Sequence, residues 1–142
     1  MDIRPLTERY AVSPQIAPED AAAIAEAGYT TVICNRPDGE ISPELRADAM
    51  RKALEAAGLR FVLNPVVGGA ISMENVQAQG AALVESDGPV LAYCASGNRS
   101  SIVWALSQAG QRPTDELLAL PARYGYALEP FRATIDQLAA QS

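Results

Sequence analysis

The sequence predicts an α/β fold: a mainly parallel four-stranded sheet with helices on both faces. Three observations predict it. Short runs, the β-branched stretch Thr30 to Asn35 and the apolar stretch Pro89 to Ala92, read as strands buried in a parallel sheet. They alternate with helix-forming stretches that close at Gly28, Gly58 and Gly110, as crossover connections between parallel strands require. The chain of 142 residues, 49% of them hydrophobic, suffices for one domain over residues 1–142 with a substantial core.

Taken in order, Tyr10 to Ile16 is the first expected strand. Pro18 suits the first turn of a helix, Glu19 and Asp20 favour its positive end, and Gly28 stops it after Ala21 to Ala27. Thr30 to Asn35 is the second strand, and "NRPDGE" turns the chain through Pro37 and the Asp38-Gly39 pair. From Glu44 to Ala57 apolar residues recur at Leu45, Ala49, Ala53 and Ala57, opposite Arg46, Asp48, Lys52 and Glu55, so an amphipathic helix is expected there. "RFVLNPVV" supplies the third strand, ended by Pro65, and Ser72 can cap a helix running to about Ser86. "GPVLAY" is the fourth strand, followed by a helix from about Ser100 to Ala109. Two shorter helices complete the chain, one after the cap candidate Thr114 and one after Pro130.

Composition excludes several function classes. The net charge of −6, with Lys52 as the only lysine, opposes binding to nucleic acid or anionic membrane, which depends on many Lys and Arg contacts. No apolar run approaches the ~20 residues of a membrane span, and residues 1–10 lack the pattern of a signal segment. Cys34 and Cys94 are the only cysteines, too few for a disulfide framework, so a reducing cytoplasmic setting is expected. The chain has no histidine. Ser-His and Cys-His hydrolases are thereby excluded, and neither a metal nor an organic cofactor is expected.

The informative stretch is "YCASGNRSS", residues 93 to 101. Cys94 stands where a central strand ends, and ligands of parallel sheets sit at the carboxyl ends of strands. The loop Ala95, Ser96, Gly97, Asn98 leads into a helix, and amides of such a loop and first turn form a nest of partial positive charge. Gly97 allows backbone conformations that a side chain would forbid. In this setting a cysteine thiolate is favoured and becomes a nucleophile. Arg99 adds a planar donor fork for an oxyanion, and Ser100 could hydrogen-bond the sulfur. The site residues expected are therefore Cys94 and Arg99, with Ala95, Ser96, Gly97, Asn98 and Ser100 as the anion-binding loop.

The "ICNRPDGE" segment offers accessory groups. Arg36 could add positive charge at the same sheet edge, or be a surface arginine satisfied by Asp38 or Glu40. Asp38 is either a proton donor or a turn residue bonding its own backbone. Asn35, at the end of a buried strand, is expected to tie the loop to backbone. Cys34 has no anion-binding loop after it, so it is expected to pack in the core; the alternative is a resolving thiol beside Cys94.

The order "GYTTVICNRPDGE", "GLRFVLNPV", "VLAYCASGNRSSIVWAL" resembles a family of small bacterial proteins with a tyrosine-phosphatase-like fold. Its members also occur fused to metallo-β-lactamase-type persulfide dioxygenases, and they are labelled beta-lactamase hydrolase-like, phosphatase-like or sulfur transferase. The resemblance covers Tyr10 to Ala109. It implies the fold of the cysteine-dependent tyrosine and dual-specificity phosphatases, with Cys94 as nucleophile, Arg99 as anion clamp and a persulfide dioxygenase as a possible partner.

Three departures from the phosphatase pattern bear on the reaction. Only four residues, Ala95 to Asn98, separate Cys94 from Arg99; the phosphatases have one more, and rhodanese-type sulfurtransferases commonly use the shorter cradle. Phosphate monoester cleavage needs an acid for its leaving group, yet "NPVVGGAIS" after the third strand has no carboxylate before Glu74, leaving Asp38 as substitute. Tyr93 stands where phosphatases commonly have histidine. The expected function is sulfur transfer from a small anionic donor, thiosulfate or a low-molecular-weight persulfide, to a thiol acceptor through a Cys94 persulfide. The alternatives are a phosphatase acting through a phosphocysteine and a noncatalytic domain that binds an anion or a partner.

Overall fold

The fold is described from a computed structural model, which covers residues 1–141. The strands are β1 (Arg4–Pro5), β2 (Tyr10–Ser13), β3 (Thr31–Cys34), β4 (Arg60–Leu63) and β5 (Val90–Tyr93). They form a sheet in the order β1-β2-β5-β3-β4. All neighbours are parallel except β1, which lies antiparallel on β2. The sequence expectation of four strands thus gains a fifth. Two residues are too short to carry any periodicity, and Pro5 is tolerated because β1 is an edge strand.

The helices are α1 (Ala21–Glu26), α2 (Ala47–Ala56), α3 (Met73–Glu85), α4 (Asn98–Ser107), α5 (Thr114–Ala122) and α6 (Arg132–Ala140). They cover both faces because strand side chains alternate. Val12, Ile33, Val90 and Ala92 face a core shared with Val76, Val103, Trp104, Leu117 and Ile135 from α3, α4, α5 and α6. Ala11, Val32, Phe61, Leu91 and Tyr93 face the other way, onto Ile24 of α1 and Met50 and Leu54 of α2. None of the helices is long and apolar enough to cross a membrane.

Element boundaries shift where specific hydrogen bonds intervene. The first expected strand ends at Ser13 rather than Ile16, since Pro14 has no N–H to continue a ladder. α2 begins at Ala47, not Glu44, because Pro43–Leu45 forms a separate tight turn and the Asp38 carboxylate accepts the Ala47 amide at 2.8 Å. Its buried stripe is Ala47, Met50 and Leu54. The alanine series expected to face the core is rotated aside, because Met and Leu bury far more apolar area than alanine. Ser72 caps α3 as expected, its hydroxyl accepting the Asn75 amide at 3.1 Å. Thr114 is not a cap: α5 already includes it, Pro113 precedes it, and its hydroxyl bonds Asp136.

Candidate active site

Strand β5 occupies the middle of the sheet, between β2 and β3, and delivers Cys94 at its carboxyl end. The cysteine is fully buried, and its amide reaches Ser13 O at 3.4 Å, extending the pairing of β5 with β2. The chain then turns through Ala95 and Ser96 into Gly97, which adopts φ +94° immediately before α4. The Gly97 amide points back at the Cys94 sulfur, an N···S distance of 3.1 Å. A Cβ at Gly97 would collide with the Tyr126 hydroxyl, so glycine is required on steric as well as conformational grounds.

Two flanking groups hold the loop. Tyr126 donates to Ser96 O at 2.7 Å and accepts from Arg4 at 2.7 Å, clamping the loop from the C-terminal segment. Ser96 accepts the Asn98 amide at 3.2 Å on its hydroxyl oxygen, and Ser101 donates to Gly97 O at 2.8 Å. The first turn of α4 is thereby fixed by the loop's own residues.

Behind the loop lies a buried polar network. Asn35 donates through Nδ2 to Asn64 O at 2.9 Å and Gln79 Oε1 at 2.9 Å. Its Oδ1 accepts from Ser100 Oγ at 2.9 Å and from Gln79 Nε2 at 3.2 Å. Gln79 also donates to the Tyr10 hydroxyl at 3.0 Å, which donates in turn to Ser100 O at 2.8 Å. Tyr10 is itself stacked on Trp104, ring centroids 5.6 Å apart. Each buried polar atom in this set has a partner, the condition under which such a network rigidifies a fold.

These contacts decide several expectations. Asn35 does bond backbone, at Asn64 O, and is fully buried. The Ser100 hydroxyl serves Asn35, so the sulfur bond foreseen for Ser100 gives way to structural anchoring. Asp38 is exposed, and its carboxylate caps α2; the bond expected to its own backbone is replaced by one to the Ala47 amide, nine residues on, because the first amides of a helix need an acceptor. Cys34 is buried in the core formed with α1 and α2, and burial pushes its thiol up. Its strand partner is Tyr93, so alternation along the strand turns Cys94 to the other face. Both cysteines are free thiols. The Tyr93 hydroxyl is buried without a well-formed hydrogen bond and lies near the Cys34 thiol rather than that of Cys94.

Arg99 projects from the first turn of α4. Its Nη1 and Nη2 each bond one carboxylate oxygen of Glu40 at 2.8 Å, and Nη1 also bonds Val66 O at 2.8 Å. Its remaining attraction is toward the Cys94 sulfur. Arg36 does join this group: it bonds Glu40 Oε1 at 3.4 Å, Glu40 O at 3.2 Å and Gln15 Oε1 at 3.3 Å. Glu40, not Asp38, satisfies it. Arg99 first, then Arg36, holds the Glu40 carboxyl below its ordinary value of 4.5. Among the described residues, no cluster of His, Cys, Asp and Glu could hold a metal ion.

Sequence reading missed Tyr126, Gln79 and the bidentate role of Glu40. Glu40 had a local signal, two residues past Asp38 in the quoted turn. Tyr126 had none, because its place against Gly97 arises from how the C-terminal segment packs.

Comparison with known proteins agrees with this architecture. The sequence pattern of the family described as "Beta-lactamase hydrolase-like protein, phosphatase-like domain" matches residues 2–111. A beta-lactamase hydrolase-like protein of Xylella fastidiosa strain Temecula1 is 35% identical over 130 residues, 90% of this chain and 30% of that protein. The chain therefore spans about a third of the length of the curated relatives it matches. A crystal structure of a presumed phosphatase from Neisseria meningitidis superposes with a TM-score of 0.83 at 35% identity, covering 97% of this chain and 99% of that one. A Shewanella putrefaciens structure described in similar terms gives 0.75 at 22% identity, covering 98% and 91% of the two chains. The phosphatase-like fold implied by the resemblance is borne out.

Proposed function

Because this chain belongs to the family of beta-lactamase hydrolase-like phosphatase-like domains, we propose that it uses the phosphatase-like cradle for sulfur transfer. The Cys94 thiolate attacks the outer sulfur of thiosulfate or of a small persulfide. The S–S bond of the donor breaks, sulfite or a thiolate leaves with the electron pair, and a Cys94 persulfide remains. An acceptor thiolate then attacks the outer sulfur of that persulfide, forming a new persulfide and regenerating the Cys94 thiolate. The Gly97 amide on the sulfur and the Arg99 guanidinium stabilise the negative charge through both steps.

The observation that supports this reading best is the state of the two carboxylates on the turn beside Arg99, Asp38 and Glu40. Asp38 is engaged by the α2 backbone. Glu40 is held ionised by Arg99 and Arg36, the wrong form for protonating a leaving group. Alkoxide departure from phosphate would need such a proton, whereas sulfite leaves without one. The phosphatase alternative, a phosphocysteine on Cys94 with Asp38 as acid, is favoured by the names of the relatives and would require Asp38 to leave its cap. A noncatalytic anion- or partner-binding domain is the third reading.

The test uses thiosulfate with an acceptor thiol in one assay and p-nitrophenyl phosphate in another, with intact mass for the adduct. Sulfur transfer predicts addition of one sulfur atom in the wild type and in Cys34→Ser, and none in Cys94→Ser. Robust phosphate release with no sulfur adduct would assign the phosphatase instead, and inactivity in both with a bound anion would assign the binding domain.

A further inference from the structure

The cradle has an unusual charge balance for an anion site. Arg99 and Arg36 are the cations that meet there, and both are bonded to Glu40. Glu40 takes the Nη1/Nη2 edge of Arg99 in a two-point geometry, the strongest arrangement open to a guanidinium and carboxylate. The pair is partly sheltered, with 15% of the Arg99 side chain exposed against 36% for Glu40. With the Cys94 thiolate formed, the positive and negative charges of this group cancel. An entering dianion then meets two negative groups and cations already paired, and like charges within a few ångströms repel more strongly at a partly buried site than in water. A donor whose sulfane end carries one charge or none meets far less repulsion.

We propose that Glu40 sets the charge selectivity of the cradle. It disfavours dianionic ligands, such as thiosulfate and phosphate monoesters, and directs the site toward organic persulfides that are singly charged or neutral near the transferable sulfur. The anion selectivity stands on the Glu40–Arg99 geometry, while the naming of persulfides as donors rests on the sulfur-transfer reading. The carboxylate sits on an exposed turn (Asp38–Glu40), outside both cores, so its neutral variant retains the fold.

The experiment compares sulfate with methanesulfonate, a dianion and a monoanion with similar oxygen geometry, by calorimetry at fixed ionic strength. Glu40→Gln is expected to bind sulfate about tenfold more tightly than the wild type, with a gain of about threefold or less for methanesulfonate. Glu40→Asp, which keeps the charge, is expected to retain a preference ratio close to that of the wild type. Sulfate affinity that is unchanged or weaker in Glu40→Gln overturns the proposal, because Glu40 would then only orient Arg99. In a second arm, intact mass follows loading of Cys94 by thiosulfate and by a neutral alkyl persulfide. Glu40→Gln should raise the thiosulfate rate more than the persulfide rate, and equal changes would contradict the named donor class. Failure of both donors to load either protein would defeat the sulfur-transfer reading, while the sulfate to methanesulfonate ratio would still judge the gate.

Discussion

Gly97 answers to two demands at one position. Its φ of +94° carries the chain from the loop into α4, and its missing side chain leaves room for the Tyr126 ring, whose Cζ would lie 3.0 Å from an added Cβ. Gly97→Ala is therefore expected to destabilise the protein by about 1–3 kcal/mol in urea unfolding. Under the proposed sulfur transfer it should also slow loading of Cys94 by roughly tenfold or more, because the strained loop would carry the Gly97 amide off the sulfur. Removing the hydroxyl in Gly97→Ala/Tyr126→Phe relieves the collision but not the backbone strain, so partial recovery of stability is expected. The meeting of Cys94 and Arg99 around one loop was legible in the sequence because a cysteine, a glycine and an arginine within a few residues constrain one another locally. The partners of Arg99 and Ser100 were not, since Glu40 and Asn35 reach them across 59 and 65 positions of chain.

At the scale of elements, the "NRPDGE" turn does structural work that its composition does not announce. Asp38 fixes the start of α2 through the Ala47 amide, and the same turn places Glu40 on Arg99. Asp38→Ala is expected to cost about 1 kcal/mol in thermal or urea unfolding, the usual value of a lost helix cap. Asp38→Asn, which keeps an accepting oxygen, should cost less. A sulfurtransferase should keep its loading rate within about twofold in Asp38→Asn, whereas a phosphatase using this acid would lose a hundredfold or more. Helices and strands were legible wherever apolar periodicity or a glycine stop was strong, as in α3 and β5. The beginning of α2 was not, because an amide nine residues from its capping carboxylate leaves no mark on a helical pattern.

At the scale of the whole molecule, Gln79 joins the layers. From α3 it reaches Asn35 beyond β3, Asn64 beyond β4 and Tyr10 on β2, and through Tyr10 it steadies the first turn of α4. Gln79→Leu would leave the Asn35 and Asn64 amides without their shared acceptor and remove the bond to Tyr10. A loss of about 3 kcal/mol or more in guanidinium unfolding is expected. Under the proposed sulfur transfer, slower loading of Cys94 should accompany it, through the loosened first turn of α4. A loss below about 1 kcal/mol would mean that water replaces these bonds at little cost.

The sequence by itself determined the α/β class, the succession of strand and helix, and the placing of a cysteine and an arginine around a glycine-bearing loop. These follow from side-chain period, turn chemistry and spacing, which act between near neighbours. Only the tertiary structure decided that Tyr126 closes over Gly97, that Gln79 joins Asn35, Asn64 and Tyr10, and that Glu40 rather than Asp38 pairs with Arg99. Each of those facts is a contact between segments far apart in the chain. Such contacts are set by which apolar faces bury together and which buried polar groups must find partners, not by any residue's immediate neighbours.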